Sequence, residues 1–336
     1  MAALVQTVAA NAARADIALE MVTVGNVGNA GEVSGQGAGG WGPAAMVGAV
    51  DYVYAIGKYE VTAGQYTEFL NTVAATDAYG LYNIYMAEVN GCQIVRSGSS
   101  GSYSYSVADD RANRPVNYVG WGDAARFMNW LHNGQGNGST ETGAYTLNGE
   151  TSQSALMAIT RNANAKFWIP TENEWYKAAY HKNDGVTGNY WDYPTGSDSK
   201  PSNMLSPDIG NNANFWDDGF TIDSPYWMTA KGEFTTSESP YGTFDQGGNV
   251  WEWNETDIDS SRGLRGGSWY FGSHGLSAAH RDYFDPTSEN FDIGFRVASV
   301  PEPGSLTLML CGGLAGLYWW RCRKQGPRLC RVSPAE

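Results

Sequence analysis

The 336 residues suffice for one large domain or two ordinary ones; 42% of them are apolar and only 17% are charged. Forty-two glycines beside 13 Trp, 20 Tyr and 11 Phe exclude a disordered chain and indicate a loop-rich globule whose rings fill the interior. The formal charge is −14, and from Pro301 onward five basic residues stand against two acidic ones, so the preceding body carries −17 and repels phosphate backbones, which argues against nucleic acid as a partner.

At the N-terminus, MAALVQTVAANAARA ends in Ala13-Arg14-Ala15, an A-x-A pattern that reads as the remnant of a partial or mis-started signal peptide over residues 1–15. Residues 25–42 are Gly-rich and contain a formal GxGxxG at Gly35, Gly37 and Gly40. No strand leads into it and Pro43 follows, so it reads as a loop and not a dinucleotide cradle. Residues 52–56 (YVYAI) alternate as a strand does. Thr62 then caps a helix whose buried face is Tyr66, Phe69, Leu70 and Val73. A second helix is expected over Asp123–His132, burying Phe127, Met128 and Leu131 and stopping near Gly134. A third starts at the capping box Thr171-x-x-Glu174, ahead of Trp175, Ala178 and Ala179. Beyond Tyr180 no helical period returns, and short strands and ordered loops are expected up to Val297. This pattern predicts one α+β unit over residues 16–299.

The C-terminal segment has its own grammar. Val300-Pro301-Glu302-Pro303 precedes an apolar run from Leu306 to Trp320, closed by Arg321, Arg323 and Lys324. Fifteen helical residues reach ~22 Å, short of a ~30 Å hydrocarbon core unless flanking side chains snorkel. The basic cluster suits a positive-inside stop. The order Pro-Glu-Pro, apolar helix, arginine cluster resembles the PEP-CTERM sorting signal. That resemblance implies an exported protein, processing by exosortase machinery and membrane contact through a short transmembrane helix over 300–324. A basic tail, 325–336, follows. The destination implied is the cell envelope, outer surface or exterior.

The body carries a second resemblance. Its blocks are residues 56–62 (IGKYEVT) with Gln65-Tyr66 and Phe69-Leu70, Pro115-Val116 with Trp121 and Trp130-Leu131, Ile169-Pro170-Thr171-Glu172 with Glu174-Trp175, residues 247–253 (GGNVWEW), Arg265-Gly266-Gly267-Ser268-Trp269, and Gly294-Phe295-Arg296. In this order they resemble the formylglycine-generating-enzyme (sulfatase-modifying factor) family, a loop-rich α+β variant of the C-type-lectin-like fold.

Family oxidases use copper and a pair of cysteines downstream of the RGGS block; two soft thiolates suit Cu(I) and thiol oxidation. Here the matching positions are Phe271 and Leu276, and the body's one cysteine, Cys92, lies far upstream. Copper and the family's oxidation are therefore not expected. The leading expectation is a non-catalytic binding or structural module at the envelope or in exopolysaccharide. The alternative is an oxidase or metal-dependent oxidoreductase acting on protein cysteine or small thiols.

Four histidines, His132, His181, His274 and His280, show no i, i+4 pair for a metal-binding helix face. The resemblance implies structural calcium under the GNVWEW turn at Asp245, Gly248, Val250 and Glu252, with a further site beginning at Asn214. Alternatively, Glu252 pairs with an arginine such as Arg265 or Arg296. Trp251 and Trp269 are expected to fill the core. Tyr270, Phe271, His274, His280 and Tyr283 are the candidates for a ligand groove suited to a glycan or extracellular polymer.

Overall fold

A computed structural model describes residues 16–301. In chain order its regular elements are β1 (Met21–Val24), β2 (Glu32–Ser34), β3 (Ala45–Val47), β4 (Tyr54–Gly57), α1 (Ala63–Val73), β5 (Val95–Ser97), β6 (Ser104–Ser106), α2 (Asp109–Ala112), α3 (Trp121–His132), α4 (Gln153–Ala158), β7 (Phe167–Trp168), α5 (Glu172–Tyr180), β8 (Trp251–Ile258), β9 (Ser261–Arg265), β10 (Asp282–Phe284), β11 (Ile293–Gly294) and β12 (Ala298–Ser299). One sheet runs β1-β4-β12-β7, antiparallel throughout; the other runs β10-β9-β8-β11, with β11 parallel to β8. The pairs β2–β3 and β5–β6 form separate ribbons.

Local chemistry explains the element boundaries. Thr62 and Gln65 cap α1 reciprocally: the Gln65 N–H donates to Thr62 Oγ1 at 3.2 Å and the Thr62 N–H to Gln65 Oε1 at 3.0 Å. Thr171 and Glu174 do the same for α5, at 2.7 and 3.1 Å. The β8–β9 hairpin turns through Asp259 and Ser260 at φ 51° and 66°, the left-handed pair that a two-residue hairpin loop requires.

The second helix differs from its sequence expectation. It starts at Trp121, because the Asp123 carboxylate accepts the Gly120 N–H at 2.8 Å and fixes the first turn. It is buried all round from Trp121 through Leu131, being the central helix of the core and not a surface helix with one apolar face. Phe127 packs against Tyr66 and Phe69 of α1 and against Phe295, with ring centroids 6.1, 5.3 and 5.3 Å away. The short helices α2 and α4 had no legible period, and the strand expected from Tyr52 begins at Tyr54.

The Gly-rich stretch is not all loop, and a strand does lead into its GxGxxG: β2 (Glu32–Ser34), too short to show as an apolar run and held by pairing with β3, passes directly into a 3-10 turn over Gly35–Ala38. Its glycines serve close packing. A Cβ on Gly40 would lie 1.8 Å from the Ala279 carbonyl oxygen, and one on Gly42 would lie 2.0 Å from that of Arg281. The loop is thereby laid directly on residues 279–281.

Candidate functional site

Arg265, the arginine of the RGGS block, organises this region. Its guanidinium is fully buried and held by Glu172, the first residue of α5, at 2.6 Å. It donates onward to the carbonyls of Ala278 (3.1 Å) and His280 (2.6 Å). Arg281 makes a second, two-pronged pair with Glu172 at 2.8 Å on both oxygens. Burial opposes the charge of Glu172, but Arg265 and Arg281 hold its carboxyl below the usual range. From the other side, the Gly35 N–H donates to the Ala279 carbonyl and the Arg281 N–H to the Trp41 carbonyl, each at 3.0 Å. Residues 278–281 are thus clamped between the Gly-rich loop and the β8–β9 sheet.

This clamp frames a cleft of 740 Å³ in which Trp41, Tyr193, Phe271, His274, His280 and Asp282 meet. Trp41 stands 58% exposed on the Gly-rich loop. Phe271 and His280 both pack on Trp251, with centroids 5.4 Å away, and His274 lies 5.5 Å from His280. Burial and the neighbouring His280 ring push His274 below the usual imidazole range. The Nε2 of His280 is buried without a hydrogen-bond partner, 3.7 Å from the Asp282 carboxylate. No lysine or arginine lines the cleft, and its polar side chains include two imidazoles and the Asp282 carboxylate beside the ring faces.

The residues expected in one groove are divided. Phe271, His274 and His280 share this cleft. Tyr270 opens on a second one, because successive side chains of the 268–271 turn diverge. Tyr283 is half-buried in β10, opposite Gly263, and lines neither cleft. Leu276 does not reach the surface: it is fully buried against Ala213 and Phe215. Cys92 is also buried, away from the cleft, and burial pushes its thiol up to about 11. His132 accepts the Lys166 N–H, and His181 is enclosed beside Tyr241, so neither approaches the cleft. Trp41 and Tyr193 were not singled out from the sequence; a tryptophan inside a Gly-rich loop was the available signal.

The GNVWEW turn can be judged as a calcium cage. Gly248 sits at φ 85° with its Cα against the Asn214 carbonyl, so Asn214 and the turn do meet. Asn214 spends its amide on Trp227 and Asn249, and its Oδ1 is buried without a partner. Glu252, however, is committed. Arg296 donates to both of its oxygens at 2.7 Å, and the Trp175 indole donates to one of them at 2.7 Å. Asp245 accepts the Gly232 N–H at 2.6 Å, and burial raises its carboxyl to about 6. Gly248 and Val250 enter the expected set through their backbone carbonyls; the Val250 side chain itself packs with Trp269 and Met228. Among the described residues, no three Asp, Glu, His or Cys side chains are placed to hold a metal ion. As folded, Glu252 makes the arginine pair that was the alternative to calcium, with Arg296 as the partner, while Glu60 Oε1 and Asn214 Oδ1 nearby are buried without partners.

The sorting-signal residues Glu302, Pro303, Arg321 and Arg323, the apolar run and residues 1–15 lie outside the described residues; Pro301 is the last described. Among the described residues no helix is long and apolar enough to cross a membrane.

Residues 299–324 match the PEP-CTERM protein-sorting motif, which implies an exported, sorted protein processed by exosortase. The inactive C-alpha-formylglycine-generating enzyme 2 of Bos taurus is 32% identical over 160 residues, 41% of this chain and 46% of the relative. That of Mus musculus is 32% identical over 146 residues, 39% and 42% of the two chains. The matches thus span less than half the length of those relatives. Among solved structures, Treponema denticola variable protein 1 superposes with a TM-score of 0.51 over 84% of this chain and 95% of its own, at 20% identity, which shows a shared fold. Residues 10–300 match the sulfatase-modifying factor enzyme 1-like domain, and the chain belongs to that family.

Proposed function

We propose that this exported protein is a non-catalytic binding module of its family, whose 740 Å³ cleft takes a neutral saccharide of the cell envelope or extracellular polymer. The carrying observation is hydrocarbon at both thiol positions: Phe271 is packed on Trp251, and Leu276 is sealed in the core. Neither side chain has a lone pair for copper, and Leu276 has no access to a substrate. The curated relatives bear the name of an inactive enzyme, which supports the same reading. Trp41, Phe271 and Tyr193 supply ring faces, and His274, His280 and Asp282 supply polar edges for hydroxyls.

The test is direct. The full-length chain is incubated with a Cys-x-Pro-x-Arg peptide, copper and reductant, and mass spectrometry follows the cysteine. No formylglycine is expected beside a working family enzyme; conversion would overturn the reading. On immobilised neutral polysaccharides, retention is expected and should fall at least tenfold in Trp41→Ala, whose side chain is too exposed to matter for folding. Stoichiometric copper or iron at His274 and His280, measured by metal analysis, would instead favour a metal-dependent oxidoreductase.

A further inference from the structure

A second cleft, of 540 Å³, opens beside Tyr270 and belongs to no part of the reading above. Six rings line it: Tyr85, Tyr118, Phe220, Trp227, Trp269 and Tyr270. Trp227 stacks on Trp269 at 5.1 Å, Phe220 meets Trp227 edge-on at 4.9 Å, and Tyr270 meets Trp269 edge-on at 5.5 Å. Tyr85 and Tyr118 form a second group, 5.8 Å apart. Tyr118 adopts φ 56°, unusual for an aromatic residue, and its hydroxyl is occupied by Asn90 at 3.2 Å. The walls therefore offer mainly π-faces and edges.

Like the first cleft, this one holds a carboxylate and no cation of the chain itself, but here six rings surround it. Several other half-exposed rings carry cations of the chain itself: Lys58 and Lys231 on Tyr59, Arg96 on Tyr103, Arg114 on Tyr226, Lys182 on Trp191. No lysine or arginine lines this cleft, and its rim bears the exposed carboxylate of Glu88. We propose that the cleft binds a quaternary ammonium group, seated on the rings with Glu88 as its counter-ion. A methylated ammonium suits the site because it is weakly hydrated, presents apolar methyls to the rings, and is still drawn to their negative faces. A bare ammonium is strongly hydrated and fits such a wall less well. The acidity of the body, −17 before Pro301, adds long-range attraction for a cation.

The experiment titrates the full-length chain with choline and with its neutral isostere 3,3-dimethyl-1-butanol, by calorimetry or ligand-observed NMR. Choline is expected to bind at least about tenfold tighter than the isostere. Tyr85→Ala and Tyr270→Ala should each weaken choline several-fold, Tyr85→Phe should keep it, and Glu88→Gln should weaken it about threefold. Tyr85 and Tyr270 are 54% and 53% exposed, so these variants fold. Trp41→Ala, in the other cleft, should leave choline binding unchanged. Binding to phosphatidylcholine vesicles but not to phosphatidylglycerol vesicles would support the site with a lipid headgroup as the source; binding of free choline alone would support it with a small solute as the source. Equal affinity for choline and the isostere, or no saturable binding of choline or of phosphatidylcholine vesicles, would overturn the proposal.

Discussion

Glu252 and Arg296 are both fully buried, and each satisfies the other: Arg296 spends its remaining donors on the carbonyls of Gly57 and Phe244. A buried pair adds little net stability over a hydrocarbon pair, but breaking it leaves an uncompensated charge. Glu252→Gln is therefore expected to destabilise the protein by about 3 kcal/mol, while EGTA leaves the wild-type Tm unchanged. A fall in Tm on chelation would mean that calcium does bind the turn. Sequence made Glu252 legible as an important carboxylate, but not its partner. Arg265 and Arg296 were equal candidates on paper, and only packing assigns Arg265 to Glu172 and Arg296 to Glu252. The same holds for Tyr270 and Phe271, adjacent in sequence and assigned by one turn to different clefts.

Among the elements, α5 links the core to the cleft. Its N-cap is Thr171, its first residue Glu172 holds Arg265 and Arg281, and Glu174 takes the Trp168 indole as well as the capping N–H. The helix start and the cleft wall therefore depend on the same turn. Thr171→Ala should cost about 1 kcal/mol and lower Tm by about 2–4 °C in a scanning measurement; no change would show that the Glu172 salt bridges alone hold the turn. Such helices were readable because capping boxes and 3.6-residue periods are local signals. The cleft was not, since its walls come from the Gly-rich loop and from residues 271–282, joined only by long-range backbone hydrogen bonds such as Gly35 to Ala279. The short helices α2 and α4 end before a period can be seen.

At the scale of the whole molecule, acidity and burial act together. Burial raises Asp245 and Asp292 to about 6 and Glu255 to about 7. Carboxyls with folded values above the unfolded ~4 bind more protons when native, so their contribution is full below ~4, falls as pH rises towards 6–7 and is gone above that. Histidines act the other way: burial lowers His132, His181 and His274, whose contribution is lost as pH falls below ~6.5. Above about pH 7.5 neither set changes charge, so stability should be flat there, and between about pH 4 and 7 the two sets oppose each other and keep the dependence shallow. Tm measured by scanning fluorimetry across pH 5–8 would refute this if it rose steadily with pH.

The last described strand, β12, holds only two residues and lies inside the first sheet, between β4 and β7, with Ala298 facing both Ile56 and Trp168. The sorting motif begins at residue 299, within that strand. Any pull transmitted from the segment beyond would therefore reach an interior rung of the sheet first. Tension is shared at once with the strands on either side, one of which follows the N-terminal strand β1 in the sheet order.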